Sequence, residues 1–464
     1  MQEVVGYEID VNDLFNSAPK TEDSVEYDNP STAEKDEEGI YAYITDFSKP
    51  TVVLKNILSH SSCSFIVSVS CCNCHHCVSS CATPINLDRQ CGNDTTNIWL
   101  DVVVVVDNSY GMTNDGLQEV AAIITSVFRS TRIGINYTTP RTTRVGVVTY
   151  NDETTVNADL NRFQSYDDFA NGISQDLGSV STSEQSYLSI GLQAAEQLLN
   201  FQSFNTIRSY YKKVVIVYAS TYQRTQDLDS VPVANRLTED GVYIITVAYD
   251  RGGDEKMLYK LAEIATPGMA YNTTGSGSPA LVHNIQQSLL QANCFCPDGW
   301  EQYRTSFSSR FSYHYGQCLK AFTIPATWND SRMICRNQMT NSYLATETSK
   351  AKHDFILDYV KNQEGMDTLY KYNIGLSWST IENWWIWEQP AGMAPVPNGP
   401  PVYNGAYTNW GAGWPIVGSP MIGVQNVQSG TQSCWQNILQ STGSSPYVCE
   451  VYSCDTDNYC DGDN

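Results

Sequence analysis

The fifteen cysteines of this 464-residue chain fall into two groups. Seven lie between Cys63 and Cys91, eight lie between Cys294 and Cys460, and the 202 residues between the groups contain none. Disulfide-bonded modules of secreted proteins concentrate cysteine in this way, whereas a reducing compartment gives no reason for it. The distribution predicts an extracellular protein in which a cysteine-free domain separates two cysteine-rich segments. Because the number is odd, at least one thiol is unpaired or pairs with another chain.

Charge narrows the classes of function. The chain carries 50 acidic and 27 basic residues, a formal net charge of −23. It lacks the excess of basic residues that nucleic acids and anionic lipids attract, so we predict neither as a partner. No run of 18 or more apolar residues indicates a membrane span. The chain begins Met1-Gln2-Glu3 with no visible signal peptide, so for a secreted protein we expect the natural start to differ.

Composition divides the part of the chain before the cysteine-free domain. Residues 1–50 carry 13 acids and 3 bases, and residues 1–62 are predicted to form a disordered acidic leader. Residues 63–92 form a cysteine-rich segment. Its Cys71–Cys77 cluster is open to two interpretations, a zinc site or a small disulfide knot. Four sequons fit the extracellular interpretation as N-glycosylation sites: Asn93, Asn136, Asn272 and Asn329.

Residues 93–292 alternate between strand and helix patterns. Val102–Val106 is an unbroken apolar run, typical of a parallel strand buried on both faces. A helical pattern follows over Gly116–Arg129, and further strands are predicted at Arg144–Tyr150, Val214–Tyr218 and Val242–Ala248. This order predicts an α/β domain with a doubly wound parallel sheet, whose ligands bind at the carboxyl ends of the strands.

The first of these strands ends in Asp107-Asn108-Ser109-Tyr110-Gly111, which resembles the metal-binding loop of the von Willebrand factor A domain. The resemblance implies a metal-ion-dependent adhesion site in which Asp107, Ser109 and Ser186 are candidate ligands. Gly111 replaces a serine ligand of the family, and Ser220 replaces its final aspartate. With those oxygens lost, we expect no bound Mg²⁺, and Asp107 and Ser109 would then serve only to cap the turn.

Residues 293–453 resemble the C-type lectin domain, and residues 454–464 form a short acidic tail. The markers occur in the family's order, from Cys296 through Trp328-Asn329-Asp330 and Asn373-Ile374-Gly375-Leu376 to Tyr447-Val448-Cys449. The resemblance implies an α+β fold with disulfides Cys296–Cys318 and Cys335–Cys449. The pairing of the remaining cysteines stays open: Cys294, Cys434, Cys454 and Cys460.

The family's calcium and sugar site is altered in this chain. Its acidic, amide and aspartate positions fall on Trp414, Ile416 and Asn437, which carry no charge, with Gln436 beside them. We therefore expect no Ca²⁺, and no cofactor elsewhere, although Mg²⁺ and Ca²⁺ are the ions that the two family sites would admit. Most indoles are expected in the core, and Trp414 is expected to be exposed because its loop is glycine-rich. The predicted carbohydrate-binding residues are Asn409, Trp410, Trp414, Gln425 and Asn437.

The order of the two domains resembles that of secreted nematode C-type lectin proteins. The resemblance implies a non-enzymatic recognition protein that binds glycans weakly and multivalently, with a role in surface defence. The alternative is an adhesion module that has lost sugar binding and contacts an extracellular protein or matrix. No common hydrolase, protease or nucleotide-binding motif appears in the sequence, so an enzyme is not predicted.

Overall fold

The computed structural model describes residues 88–460, except 136–138, 202–207, 223–227, 250–254, 275–276, 367–368, 399–405, 417–419 and 430. The predictions for the acidic leader, for the Cys71–Cys77 cluster and for the sequon at Asn136 lie outside the described residues. Within them, no helix is long and apolar enough to cross a membrane.

The first domain is built on a six-stranded sheet with the strand order β3-β2-β1-β4-β5-β6. Neighbouring strands are parallel except β3, which runs antiparallel to β2 at one edge. The strands are β1 (Leu100–Asp107), β2 (Arg144–Tyr150), β3 (Thr154–Ala158), β4 (Lys212–Ala219), β5 (Tyr243–Ala248) and β6 (Ala270–Asn272). Strand β1 is buried along its whole length because it lies between β2 and β4.

Six helices pack on this sheet: α1 (Asn114–Val127), α2 (Tyr166–Asp176), α3 (Leu188–Phe201), α4 (Val231–Glu239), α5 (Glu255–Ala262) and α6 (Gly277–Ala292). Alternate valines of β1 point to opposite faces, so Val102 and Val104 belong to one hydrophobic cluster and Val103 and Val105 to another. A core on each face is the doubly wound arrangement that the sequence predicts, and that prediction is confirmed.

The second domain contains a nine-stranded sheet with the main order β12-β11-β10-β15-β8-β7. Strand β13 pairs with β10 and β14, and β9 pairs with β15. Its strands are β7 (Glu301–Arg304), β8 (His314–Ala326), β9 (Tyr343–Leu344), β10 (Tyr372–Ser379), β11 (Trp384–Trp387), β12 (Val396–Pro397), β13 (Gly423–Ser429), β14 (Gln432–Ile438) and β15 (Ser445–Tyr452). Two helices accompany them, α7 (Trp328–Arg336) and α8 (Lys350–Lys361). This is the predicted α+β lectin-like fold.

Disulfides fasten the second domain at two places. Cys296 is bonded to Cys318 on β8, and Cys335 on α7 is bonded to Cys449 on β15. These are the two pairs that the family resemblance implies. Cys454 is bonded to Cys460, and Cys434 forms no disulfide with another described residue.

The two domains meet around Trp99. Its indole is fully buried and contacts the rings of Tyr210, Tyr211, Phe295 and Tyr459 edge-on at 5.0–6.0 Å. A disulfide between Cys91 and Cys294 joins the segments on either side of the first domain. The contact of Tyr459 with Trp99 places the chain's last described residues at this junction.

Candidate functional site

The metal-site position of the first domain lies at the carboxyl end of β1. Asp107 is fully buried, and both of its carboxylate oxygens accept hydrogen bonds from the protein. Oδ1 accepts from the backbone N–H of Ser109 at 2.9 Å. Oδ2 accepts from the N–H of Ser220 at 3.0 Å and from its hydroxyl at 2.6 Å. The donors therefore satisfy the carboxylate that a cation would otherwise neutralise.

The remaining candidate ligand is a hydroxyl in the same region. Ser186 is fully buried. It lies near the buried Tyr150 hydroxyl. Burial and then the charge of Asp107 raise the pKa of Tyr150 well above its ordinary value. Tyr150 thus stays neutral and supplies no anionic ligand.

These residues do not fit a divalent cation. The site offers one carboxylate and a few hydroxyls, whereas Mg²⁺ needs near-octahedral oxygen coordination strong enough to displace its water. Gly111 supplies no oxygen, although a Cβ built there would lie 3.5 Å from Ser220 Oγ, an ordinary contact distance. A serine would therefore fit at position 111, but glycine leaves the site without that hydroxyl ligand. Among the described residues, no three His, Cys, Asp or Glu side chains form a group that could hold a metal.

The residue predicted to stand at the family's calcium position, Asn437, is an amide. Asn437 on β14 is 1% exposed, and its Oδ1 accepts from the N–H of Ile416 at 2.9 Å. Its Nδ2 donates to the carbonyl oxygens of Ile416 at 3.2 Å and Met421 at 2.8 Å. The NH₂ group of Asn437 is thus hydrogen-bonded to the loop carbonyls, and the buried side chain cannot contact a sugar. The Trp414–Pro415 peptide bond of this loop is cis.

Gln425 is also withdrawn from the surface. It lies on β13 opposite Asn373 of β10 and Gln436 of β14, and it is 5% exposed. Its Oε1 accepts from the hydroxyl of Ser445 at 3.2 Å. Because Gln425 is buried and its amide oxygen is already bonded, this side chain has no access to a glycan.

Asn409 and Trp410 are half-buried where the long loop joins β14. The carbonyl of Asn409 accepts from the N–H of Trp435 at 2.7 Å, and its Nδ2 donates to the carbonyl of Ser433 at 2.9 Å. The same Nδ2 lies 3.2 Å from Nε2 of His353. These bonds fix the position of Trp410.

A buried polar network that the sequence interpretation missed lies beneath Asn409. The fully buried carboxylate of Glu347 accepts from Tyr372 Oη at 2.7 Å, from Trp435 Nε1 at 2.5 Å and from His353 Nδ1 at 2.7 Å. Burial opposes the charged imidazolium, but Glu347 outweighs it, so the pKa of His353 lies above its ordinary value. The four residues are scattered over more than 80 positions, so no local motif could have indicated them.

Half-buried indoles form a continuous set beside this network. The ring centroids of Trp378 and Trp385 are 5.4 Å apart, those of Trp385 and Trp410 are 4.8 Å apart, and Trp410 contacts Trp435 at 5.7 Å. Trp414 is half-buried, which corrects the expectation that it is exposed. A Cβ at Gly411 would lie 2.8 Å from Cys434 Sγ and 3.3 Å from Trp414 Cδ1. The missing side chain of Gly411 lets the loop fold back, so glycine here brings Trp414 inward.

More indoles reach the surface than expected. Of the eight tryptophans from Trp328 onward, three are fully buried and five are half-buried. The fully buried rings are Trp328, Trp387 and Trp435. Among the sequons, Asn93 and Asn329 are exposed and Asn272 is half-buried on β6.

The comparisons with known proteins agree with this architecture. The profile of the von Willebrand factor type A domain matches residues 101–287, and that of the lectin C-type domain matches residues 324–460. The chain therefore contains a von Willebrand factor A domain followed by a C-type lectin domain, as predicted.

A nematode protein is similar in sequence to most of this chain. The chain is 28% identical over 81% of its length to C-type lectin domain-containing protein 160 of Caenorhabditis elegans. The alignment covers 57% of that relative, so the chain spans little more than half its length.

Two solved structures show partial likeness to this chain. Proximal thread matrix protein 1 from the mussel byssus, with zinc in its adhesion-site motif, is 18% identical, with 43% of this chain and 48% of that chain covered and a TM-score of 0.34. The C-type lectin domain of murine dendritic cell inhibitory receptor 2, in complex with N-glycan, is 22% identical, with 34% and 98% covered and a TM-score of 0.25.

Proposed function

We propose that the protein is a secreted, non-enzymatic recognition protein that binds carbohydrate through its lectin domain without calcium. The observation that carries the proposal is the position of Asn437, whose amide donates to two loop carbonyls where the family holds an ion. An ion at that point would have to displace an amide that already satisfies those oxygens. The chelation of vicinal sugar hydroxyls by Ca²⁺ is therefore not the means of recognition.

The half-buried indoles Trp378, Trp385, Trp410 and Trp414 are the proposed contact surface. Indole rings are flat apolar platforms on which the C–H face of a pyranose ring can stack, and their N–H groups reach polar partners. Trp410 is held by its neighbours Asn409 and Trp435, so little conformational freedom is lost when a ligand binds. Of the predicted amide ligands, Gln425 and Asn437 are left out of the proposed surface because both are buried.

Recognition of this kind is weak for a single site. One stacked ring with a few exposed hydrogen bonds corresponds to about 4–5 kcal/mol, or a roughly millimolar dissociation constant. Several linked copies, or a repeated surface ligand, would raise the avidity. Multivalent surface glycans of the kind met in defence or matrix contact fit that requirement, as does the extracellular setting that four disulfides favour.

Substitution of single indoles tests the proposal. The intact chain is applied to immobilised glycans, and Trp414→Ala is compared with Trp300→Ala, which removes a half-buried indole of the same domain outside the proposed surface. We expect Trp414→Ala to lose most of the binding and Trp300→Ala to keep it. Equal losses, or no binding by the unaltered chain to any glycan, would contradict the proposal.

One observation favours the alternative of protein adhesion through the first domain. Tyr110 follows Ser109 at the ligand end of the sheet, and its ring is 64% exposed. An exposed aromatic ring is a common anchor of protein interfaces. If Tyr110→Ser abolishes adhesion of the intact chain to extracellular matrix while glycan binding is absent, this alternative is the correct function.

A further inference from the structure

A cleft between the two domains, far from both family sites, has a cavity volume of about 520 Å³. Its walls come from the start of β4, the turn after α4, the opening residues of the lectin domain and the Cys454–Cys460 disulfide. Strand β4 begins at Lys212, in this cleft, and ends at Ala219. The next residue, Ser220, is hydrogen-bonded to Asp107. The cleft therefore lies at the opposite end of the sheet from the adhesion-site position. Its volume is in the range of small-molecule sites.

Three cationic residues line this cleft: Lys212, Lys213 and Arg310. Lys212 Nζ lies 4.4 Å from the ring centroid of Phe295, and the guanidinium of Arg310 lies 5.8 Å from that of Phe311. Within the described part of the chain, neither Lys212 nor Arg310 takes part in an ion pair. Burial lowers the pKa of Lys212, Asp298 partly offsets this, and the charge of Arg310 lowers it further. Lys212 and Arg310 thus carry like charges beside the same cleft, and Lys212 is half-buried.

An anion bound in the cleft would neutralise these positive charges. Hydrogen bonds between an ammonium or guanidinium and a carboxylate or sulfate are short and strong, and they gain strength in a partly dehydrated cleft. Phe295 and the half-buried Tyr210 add apolar surface for the body of the ligand.

The rim of the cleft limits the charge of its ligand. Glu239, Asp240 and Asp298 also line it, and their carboxylates repel a polyanion. The same carboxylates accept hydrogen bonds from hydroxyl groups. A ligand with one negative group and several hydroxyls can bind the cations through the former and the carboxylates through the latter.

We propose that this interdomain cleft is a second binding site, which takes a sugar residue bearing a single carboxylate or sulfate. Lys212 and Arg310 bind the anionic group, Phe295 contacts the ring, and the rim carboxylates accept from its hydroxyls. The site does not depend on the indole surface of the lectin domain.

The test measures binding of glucuronate, glucose 6-sulfate and neutral glucose to the intact protein at constant ionic strength. Ligand-observed NMR titration gives each dissociation constant. We expect saturable binding of at least one anionic sugar, and much weaker binding of glucose. Lys212→Met and Arg310→Gln should each weaken anion binding by about ten-fold to a hundred-fold, the range for hydrogen bonds to charged groups.

Two controls separate this site from a general effect of charge. Lys361→Met and Arg129→Gln remove exposed cations elsewhere on the protein and should leave binding unchanged. Arg310 is exposed, so Arg310→Gln remains informative even if Lys212→Met does not fold. The proposal is overturned if neither anionic sugar saturates the protein, if Arg310→Gln binds as tightly as the unaltered chain, or if the controls lose as much affinity.

Discussion

The replacement of Asn437 by aspartate, the residue type that the lectin family uses there, should destabilise this protein. Asn437 Nδ2 donates to the carbonyls of Ile416 and Met421, and a carboxylate cannot donate. The two lost bonds cost about 1 kcal/mol each, and the carboxylate oxygen that would face two carbonyl oxygens without a donor adds about 1–3 kcal/mol. We expect Asn437→Asp to lower the free energy of unfolding by about 3–5 kcal/mol at neutral pH.

The pH dependence of this variant distinguishes the mechanism from a simple loss of packing. Protonation restores a donor, so the pKa of the new carboxyl should rise in the folded state. Its destabilising effect should then shrink as the pH falls through that folded pKa. Asn437→Ala removes all three hydrogen bonds at once. Because alanine does not titrate, the loss of unfolding free energy in this variant should not depend on pH in the same way.

Denaturant unfolding followed by tryptophan fluorescence measures these differences. Nine of the ten tryptophans lie between Trp300 and Trp435, so the signal reports mainly on the lectin domain. An Asn437→Asp protein as stable as the unaltered chain at neutral pH, in the presence of EDTA, would refute the assignment of Asn437 as a donor to the loop.

Three further predictions concern other parts of the molecule. Millimolar Mg²⁺ should not raise the melting temperature of the unaltered chain. The double variant Gly111→Ser, Ser220→Asp should show a melting temperature that rises with Mg²⁺. An Mg²⁺-dependent rise in the unaltered chain that is lost in Asp107→Ala would contradict this prediction. Cys335→Ser should cost about 2–5 kcal/mol, as loss of a native disulfide in a secreted domain does, and peptide mapping of the unaltered chain should pair Cys335 with Cys449. The pKa of His353 is raised in the folded protein, so the charged imidazole stabilises the fold fully below pH 6.5 and less as the pH rises through the folded pKa. The difference in free energy of unfolding between the unaltered chain and His353→Gln should therefore narrow with rising pH. A difference that widens would contradict the ion pair with Glu347.

Much of the first domain could be predicted because its strands are buried on both faces and leave long apolar runs. The strand predicted at Arg144–Tyr150 is found at those residues, and the helix predicted at Gly116–Arg129 is found at Asn114–Val127. Strand β3 was missed, because an edge strand with exposed polar residues has no apolar run. Helix α2 was also missed; it has few buried residues among its many polar ones.

The site could be predicted less well because its outcome depends on which side chains face each other. The sequence shows that Ser220 replaces an aspartate, but not that its hydroxyl donates to Asp107. It shows an amide at position 437, but not the two carbonyls that this amide binds. Gln425 was predicted to meet sugar because an amide is a good ligand, yet its side chain is buried and accepts a hydrogen bond from Ser445. Such pairings are set by tertiary packing across long sequence separations.

Calcium dependence of glycan binding tests the central claim most directly. The intact chain is applied to immobilised glycans in excess EDTA and again with millimolar Ca²⁺, and the bound fraction is compared. If indoles and neutral hydrogen bonds carry recognition, binding persists in EDTA and does not increase with Ca²⁺. Binding that disappears in EDTA and returns with Ca²⁺ would contradict the account, since it would require an ion where Asn437 now holds the loop.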